Sequence, residues 1–275
     1  MANYKYDKDL DFLRECTNEE LEGLFNILVY DKDGNKRISE ELSNSYQCET
    51  YGRNFRMYWS KIAGELQHFG GNGFANFIRR SGVEYEEILN DVLDNLGIHY
   101  FKPDTVEEKE NLLLGKVMDK ILDNMSLEEK KLFAKEVGVK ELDMSGGAIA
   151  LACQGLIKLG GVGLVRLSGF IANYISRVAI GKAFVGSASK FFTVFTGPVG
   201  WAVTGVWTAI DIASPAMRVT IPATIMVSCL RKIVNEREKN KGYKFITCPE
   251  CEVDLKVTEG AKKIKCPNCE AIFEI

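Results

Sequence analysis

The chain has 275 residues, 46% of them hydrophobic and 27% charged, with a formal net charge of −3. That length holds one large domain or two, with ample core. The opening "MANYKYDKDLDFL" has no apolar h-region, which excludes a secretory signal, and four of the eight cysteines fall in a metal pattern while the rest are scattered, which favours a reducing cytoplasm over a disulfide framework. The charge is unevenly spread. Residues 1–143 carry 19 basic and 29 acidic side chains, residues 144–230 six and one, and residues 231–275 ten and eight. These zones give an acidic helical domain over 1–143, an apolar glycine-rich helical segment over 144–234, a linker over 235–244 and a ribbon over 245–275.

The first predicted element is a helix in "CTNEELEGLFNILVY". Thr17 and Glu20 have capping-box spacing, and Leu21, Leu24, Phe25 and Leu28 recur on one helical face. "DKDGNKRISEEL", residues 31–42, then begins like a calcium loop, with Asp31, Asp33 and Asn35 at the first, third and fifth places. The places that need a turn glycine and a bidentate glutamate hold Lys36 and Leu42, so no calcium is expected. The stretch reads instead as a turn at Asp33-Gly34, followed by a helix capped by Ser39 with Glu40 and Glu41 in its first turn.

Residues 58–89 contain Gly70, Gly71, Asn72 and Gly73 just after His68. A glycine cluster without phosphate-loop spacing reads as a tight helix–loop–helix junction with positive φ angles, against the alternative of a ligand loop. "GVEYEEILNDVLDNLGI", "EEKENLLLGKVMDKILDNM" and "SLEEKKLFAKEV" are amphipathic helices, the last with Ser126 and Glu129 in capping-box spacing. His68 and His99 are the only histidines, and the spacing pairs them with nothing.

The apolar zone is rich in small residues, as in "LGGVGLVRLSG" and "GPVGWAVTGVW". Small side chains allow close helix approach, in membranes and in protein assemblies alike. One charge-free window, Phe191–Ile210, reaches the length of a spanning helix, but Pro198, three glycines and four threonines weaken it. Lys158, Arg166, Arg177, Lys182, Lys190, Asp211 and Arg218 interrupt the other apolar runs. Three readings stand: a buried core or homo-oligomer interface, a conditional membrane inserter, and a constitutive membrane protein. The first fits the scattered charges best, because a lone charge at mid-bilayer costs about 2.5–3.5 kcal/mol. Gly161, Gly163 and Gly169 are the positions expected to admit close approach between helices of the assembly.

The C-terminal stretch "FITCPECEVDLKVTEGAKKIKCPNCEAIFEI" carries two CPxC knuckles, Cys248/Cys251 and Cys266/Cys269, fourteen residues apart. That spacing suits a Cys₄ zinc site, and "VDLKV", "KKIKC" and "AIFEI" alternate as short strands do. With every zinc position filled by cysteine, no place remains for an activated water, so one structural ion per chain is expected. Lys244, Lys256, Lys262, Lys263 and Lys265, with Tyr243 and Phe245, make a candidate surface for single-stranded nucleic acid. The alternative is a solvated lysine face balanced by Glu250, Glu252, Asp254 and Glu259.

Residues 1–230 resemble the bacterial YaaW-like family, which is similar to ubiquinol–cytochrome c chaperone domains. The likeness is carried by "YKYDKDLDFL", "LVYDKDGNKRISEEL", "YWSKIAGELQHFGGNGFANFIRRSGVEYEEIL" and "GPVGWAVTGVWTAIDIASPAMRVTIPATI". Residues 245–275 resemble the short CPxC zinc ribbons of many bacterial proteins. A ribbon on an oligomer-prone helical body also resembles, in architecture alone, the ring-activated zinc-finger RNases of phage defence. That resemblance implies an oligomeric antiphage sensor–effector, triggered by a phage protein assembly, whose ribbon binds and cleaves RNA. The alternatives are a membrane-inserting effector and a non-enzymatic assembly factor or chaperone with a protein-docking ribbon. The expected fold is mainly α with a small β zinc ribbon, in the cytoplasm. No catalytic residue is singled out: the ribbon lacks histidine, which leaves a carboxylate, a lysine or Tyr243 as general base.

Overall fold

The computed structural model describes residues 4–71, 83–139, 145–181, 214, 216–251 and 253–274. It is mainly α-helical, with two small two-stranded sheets at the C-terminal end. The chain divides into two compact units, Met1–Val234 and Asn235–Ile275.

In the first unit the helices start where the sequence supplies side-chain acceptors. α1 (Asn18–Val29) opens on a full capping box. The Thr17 hydroxyl accepts the Glu20 N–H at 3.3 Å and the Glu20 carboxylate accepts the Thr17 N–H at 2.8 Å, so two orphan donors of the first turn are satisfied. α6 (Leu127–Glu136) repeats the device with Ser126 and Glu129. α5 (Val106–Asp123) has a third box, Thr105 with Glu108. Between these lie α2 (Tyr46–Tyr51), α3 (Trp59–Gly71) and α4 (Tyr85–Asn95); α7 (Gly146–Leu159), α8 (Val162–Ile180) and α9 (Met217–Lys239) follow.

The helix expected after Ser39 does not form; the next helix is α2, capped by Ser45. Buried carboxylates hold the intervening loop in its place. Glu40 accepts the Ser43 N–H at 2.8 Å, and Glu65 on α3 accepts the Glu41 N–H at 3.0 Å. The Ser43 N–H, which would close the first helical turn on the Ser39 carbonyl, is thereby taken by the Glu40 carboxylate. The calcium-like stretch is a closed turn: Asp31 Oδ1 accepts the N–H groups of Asp33 and Asn35 at 3.0 and 2.9 Å, Leu42 is buried and Ile38 is fully exposed. Of the glycine cluster, Asn72 and Gly73 lie outside the described residues. Gly70 is inside α3, where a Cβ would stand 2.5 Å from Ile88 Cγ1 of α4. Close packing, not a positive φ, is what requires glycine there.

Composition changes at residue 144 but packing does not. One hydrophobic cluster runs from Leu10 to Val234, taking Leu24 and Leu28 from α1, Leu113 and Val117 from α5, Ile171 and Ile175 from α8, and Ile225 and Leu230 from α9. α7 packs on α5, and α8 on α1. A Cβ on Gly163 would meet Leu156 Cδ2 at 2.6 Å and the Val137 carbonyl at 3.0 Å, so this close approach lies within one chain. Gly161, at φ +87°, caps α8, and Gly169 faces open space. No single described helix is long and apolar enough to cross a membrane. α7 and α8 meet the length and composition together, but they are bent by 107° at their junction. Phe191–Ile210 lies outside the described residues.

A buried charged network ties the N-terminal segment to α4, α5 and α9. Glu110 accepts Arg231 Nε at 3.0 and 2.9 Å and the Tyr85 hydroxyl at 2.8 Å, and the Tyr85 N–H donates to Asp7 Oδ2 at 2.6 Å. The Arg231 guanidinium lies 4.4 Å from the Phe12 ring centroid. Burial raises the Glu110 pKa, and Arg231 works against that rise. His68 sits half-buried on α3 and His99 is exposed between α4 and α5.

Candidate metal centre

The second unit is built from two antiparallel hairpins, β1 (Tyr243–Thr247) with β2 (Asp254–Thr258) and β3 (Lys263–Lys265) with β4 (Ile272–Glu274). β1 was not among the expected strands. It follows α9 after a short turn in which Gly242 takes φ +83°. Each hairpin loop is one CPxC knuckle. Both loops close alike: Cys248 N–H donates to the Val253 carbonyl at 2.8 Å, and Cys266 N–H to the Ala271 carbonyl at 2.8 Å. Leu255 and Val257 pack inward against Cys248 and Cys266, with Ile246, Ile264 and Phe273 around them. So small a core leaves much of the folding energy to a metal.

Cys248 and Cys269 approach to 3.7 Å between sulfurs, Cys251 and Cys266 to 3.6 Å, and all four sulfurs lie within 4.8 Å of one another. A disulfide needs about 2.05 Å, so these are four separate thiols. A tetrahedron with zinc–sulfur bonds of about 2.3 Å has edges of about 3.8 Å, which these distances match. The four cysteines can therefore hold one metal ion, and a full set of thiolates suits zinc. Their proton affinities diverge. The Asn268 side chain and the Val253 backbone draw Cys251 down to about 6. At Cys269 the Ala271 backbone pulls the other way, but desolvation and the neighbouring thiols push it up to about 12. Four clustered thiols cannot all ionise without a cation to offset their mutual repulsion.

The knuckles also require a tight backbone. Glu270, directly after Cys269, takes φ 63°, the one positive φ at a described residue other than glycine. Its N–H donates to the Cys266 carbonyl at 2.9 Å, which closes the turn.

Of the candidate nucleic-acid lysines, Lys244 and Lys256 lie on the first hairpin and Lys263 and Lys265 on the second. Lys256 lies opposite Phe245 across the β1–β2 ladder, with its ammonium 4.4 Å from the Tyr243 ring centroid. Tyr243 and Phe245, two residues apart on one sheet face, are 46% and 39% exposed. Lys244 is half-buried on the opposite face. Lys263 and Lys265 belong to β3: Lys263 stands across from Glu274, and Lys265 pairs with Glu270 at 3.1 Å. Lys262 is exposed just before them. Residues 235–275 contain eight basic and eight acidic side chains. The sequence reading found the lysines and both aromatic residues; the pairing of Lys256 with Tyr243 needed the strand register.

A family model described as a domain of unknown function (DUF3944) matches residues 4–38. A UPF0174 protein of Helicobacter pylori strain J99 is 40% identical over 243 residues, 86% of this chain and 96% of the relative. A UPF0174 protein of H. pylori strain 26695 is 36% identical, over 70% of this chain and 97% of the relative. The UPF0174 protein YaaW of Escherichia coli K12 is 31% identical over 239 residues, 85% of this chain and 98% of the relative. These relatives are matched almost end to end, while part of this chain has no counterpart in them. No solved structure matches the chain. At 40% and 31% identity along nearly the whole of two relatives, the chain belongs to the UPF0174 family.

Proposed function

We propose that this protein is an oligomeric antiphage sensor–effector in which the helical unit self-assembles on a phage protein assembly and the zinc-bound ribbon engages RNA. The observation that supports RNA engagement is the exposed β1–β2 face carrying Tyr243, Phe245 and Lys256. Two aromatic rings at alternate positions of a strand present stacking surfaces, and base–aromatic stacking contributes about 1–3 kcal/mol per base. Lys256, set beside them, supplies a phosphate contact. The metal holds this face by folding the hairpins; with four cysteine ligands it has no open position for chemistry. RNA cleavage rests on the architectural resemblance alone, and its proton transfers would fall to carboxylates, lysines or Tyr243. The trigger rests on the same resemblance, and the cytoplasmic setting on the cysteine usage.

The lack of a basic excess in the ribbon, four basic against six acidic side chains over residues 245–275, favours a second reading, a protein-docking ribbon on an assembly factor. The membrane-inserting reading, over residues 191–230, would require the start of α9 to leave a core in which nearly all of its residues are buried.

Fluorescence anisotropy of full-length protein with a single-stranded RNA separates these readings. Binding should weaken with salt, with a log–log slope near −0.7 per phosphate neutralised. Tyr243→Ala with Phe245→Ala should weaken it tenfold or more at constant slope, whereas Lys256→Ala should flatten the slope. Integrity of the RNA in the same samples reports cleavage. Absence of RNA binding in the presence of zinc and of assembled protein would favour the docking reading.

A further inference from the structure

α7 carries a single charge, Lys158, in its 14 residues. Ile149, Cys153 and Ile157 on its inner side are buried, as a core helix requires. Its outer side is apolar as well: Leu151 is 72% exposed and Leu159 88%. A surface helix ordinarily sets polar side chains opposite its apolar stripe, and one that is apolar all round is covered on both sides. Gly147, Leu151, Gly155 and Leu159 follow one another at four-residue steps along one outer ridge. A Cβ on Gly147 or Gly155 would meet nothing within 4 Å. Glycine in a helix interior costs about 1 kcal/mol relative to alanine. At Gly155 neither a positive φ nor a neighbour in the same chain calls for it.

The ridge is complementary to itself. Laid antiparallel on a second copy with Leu151 on the partner's Gly155, it also sets Leu159 on the partner's Gly147, because both pairs share one register. The two-fold axis repeats each contact, so every outer leucine meets a glycine. Charge agrees with this register. α5 runs antiparallel beside α7: Gln154 donates to Asp119 at 3.2 Å, while Gly115 and Lys116 share a groove with Ile157 and Lys158. Asp123 therefore lies one turn beyond Asp119, toward the start of α7. Asp123 and Lys158 are both exposed and have no ion pair among the described residues. Within one chain they flank opposite ends of α7. In the antiparallel register Lys158 stands opposite the partner's Ala148, at the end that the partner's Asp123 flanks.

We propose that the outer ridge of α7 pairs with the same ridge of a second copy, leucine on glycine, with Lys158 paired to the partner's Asp123 on each side. The inference rests on the self-assembly of the helical unit proposed above and names its surface. A bilayer is the poorer occupant, since α7 is about 21 Å long against a hydrocarbon core of about 30 Å. α8 does not extend it, being bent away by 107°.

Sedimentation velocity of the full-length, zinc-loaded protein from about 1 to about 100 µM tests this. A reversible dimer, or a larger even-numbered assembly built from it, is expected with a Kd of about 10 µM or tighter. Leu151→Glu with Leu159→Glu should raise that Kd about tenfold or more at unchanged far-UV signal and Tm, since both side chains are exposed. Lys158→Asp should weaken pairing about fivefold through its two symmetric contacts, and adding Asp123→Lys to it should restore the wild-type Kd. Neither a lipid surface nor an unrelated partner gives recovery by charge exchange. A wild-type protein that stays monomeric throughout overturns the proposal, and flotation of that monomer with vesicles of phosphatidylcholine and phosphatidylglycerol assigns the face to lipid instead. An exchanged protein no tighter than Lys158→Asp overturns the register and the proposal with it. An assembly that survives Leu151→Glu with Leu159→Glu also overturns it, but leaves self-assembly standing on another surface; RNA binding is read separately by anisotropy.

Discussion

Glu65 shows how one side chain couples a loop to pH. It is 1% exposed on α3, its Oε1 holds the Glu41 N–H, and its Oε2 has no hydrogen-bond partner among the described residues. Burial, opposed by the Glu41 N–H and reinforced by the charges of Glu40 and Glu41, pushes its pKa up to about 7. An acid whose folded pKa lies above its unfolded value, about 4.3, stabilises the fold in its protonated form. That contribution is complete below about pH 4 and is lost as pH rises through 7. Urea unfolding of the helical unit should therefore show stability falling from pH 5 to pH 8, and Glu65→Gln should remove most of that slope and raise stability at pH 8. An unchanged slope would mean that other groups set it. Glu270 offers a second residue-scale prediction. Its left-handed backbone costs about 1 kcal/mol in a residue with a side chain, and its exposed pair with Lys265 contributes little. Glu270→Gly should stabilise the metal-loaded ribbon by about 0.5–1 kcal/mol, read as a higher chelator concentration needed to unfold it. Neither feature was legible in the sequence. The burial of Glu65 depends on α3 packing under the 39–45 loop, and the φ of Glu270 depends on the knuckle that Cys269 ends.

At the scale of elements, capping signals and hydrophobic periodicity located α1, α4, α5 and α6, because both act within a few residues along the chain. The expected helix after Ser39 failed for the converse reason. Its amides bond to Glu40 and Glu65 carboxylates, one of them 24 residues away. The glycines of the apolar zone divide in the same way. Gly163 sits against Leu156 and the Val137 carbonyl, whereas Gly169 meets nothing. Gly163→Ala should destabilise the helical unit by about 1–3 kcal/mol through overpacking, and Gly169→Ala should leave it unchanged or slightly more stable. Thermal unfolding of the two variants checks this; equal Tm values would deny the close approach at Gly163. The test also separates packing from assembly, since a loss of oligomer by Gly169 variants with normal Tm would place an interface on the open face of α8.

For the molecule as a whole, the division at Val234 and Asn235 has a thermodynamic consequence. The ribbon has a core of a few side chains around four thiols, while the helical unit has a continuous core of its own. Zinc removal by a chelator, or Cys248→Ser or Cys266→Ser, should unfold the ribbon and leave the helical far-UV signal intact, with wild-type protein holding one zinc per chain by elemental analysis. Loss of the helical signal with the metal would show that the two units fold as one. The sequence alone determined the mainly helical class, the four cysteines and three of the four ribbon strands, because capping, periodicity and ligand spacing are local properties. Only the tertiary structure decided that the acidic and apolar zones share one core, that Arg231 meets Glu110 across 121 residues of chain, and that the ribbon lysines divide between two hairpins. Those outcomes depend on which distant surfaces exclude water from one another, and no local pattern encodes that choice.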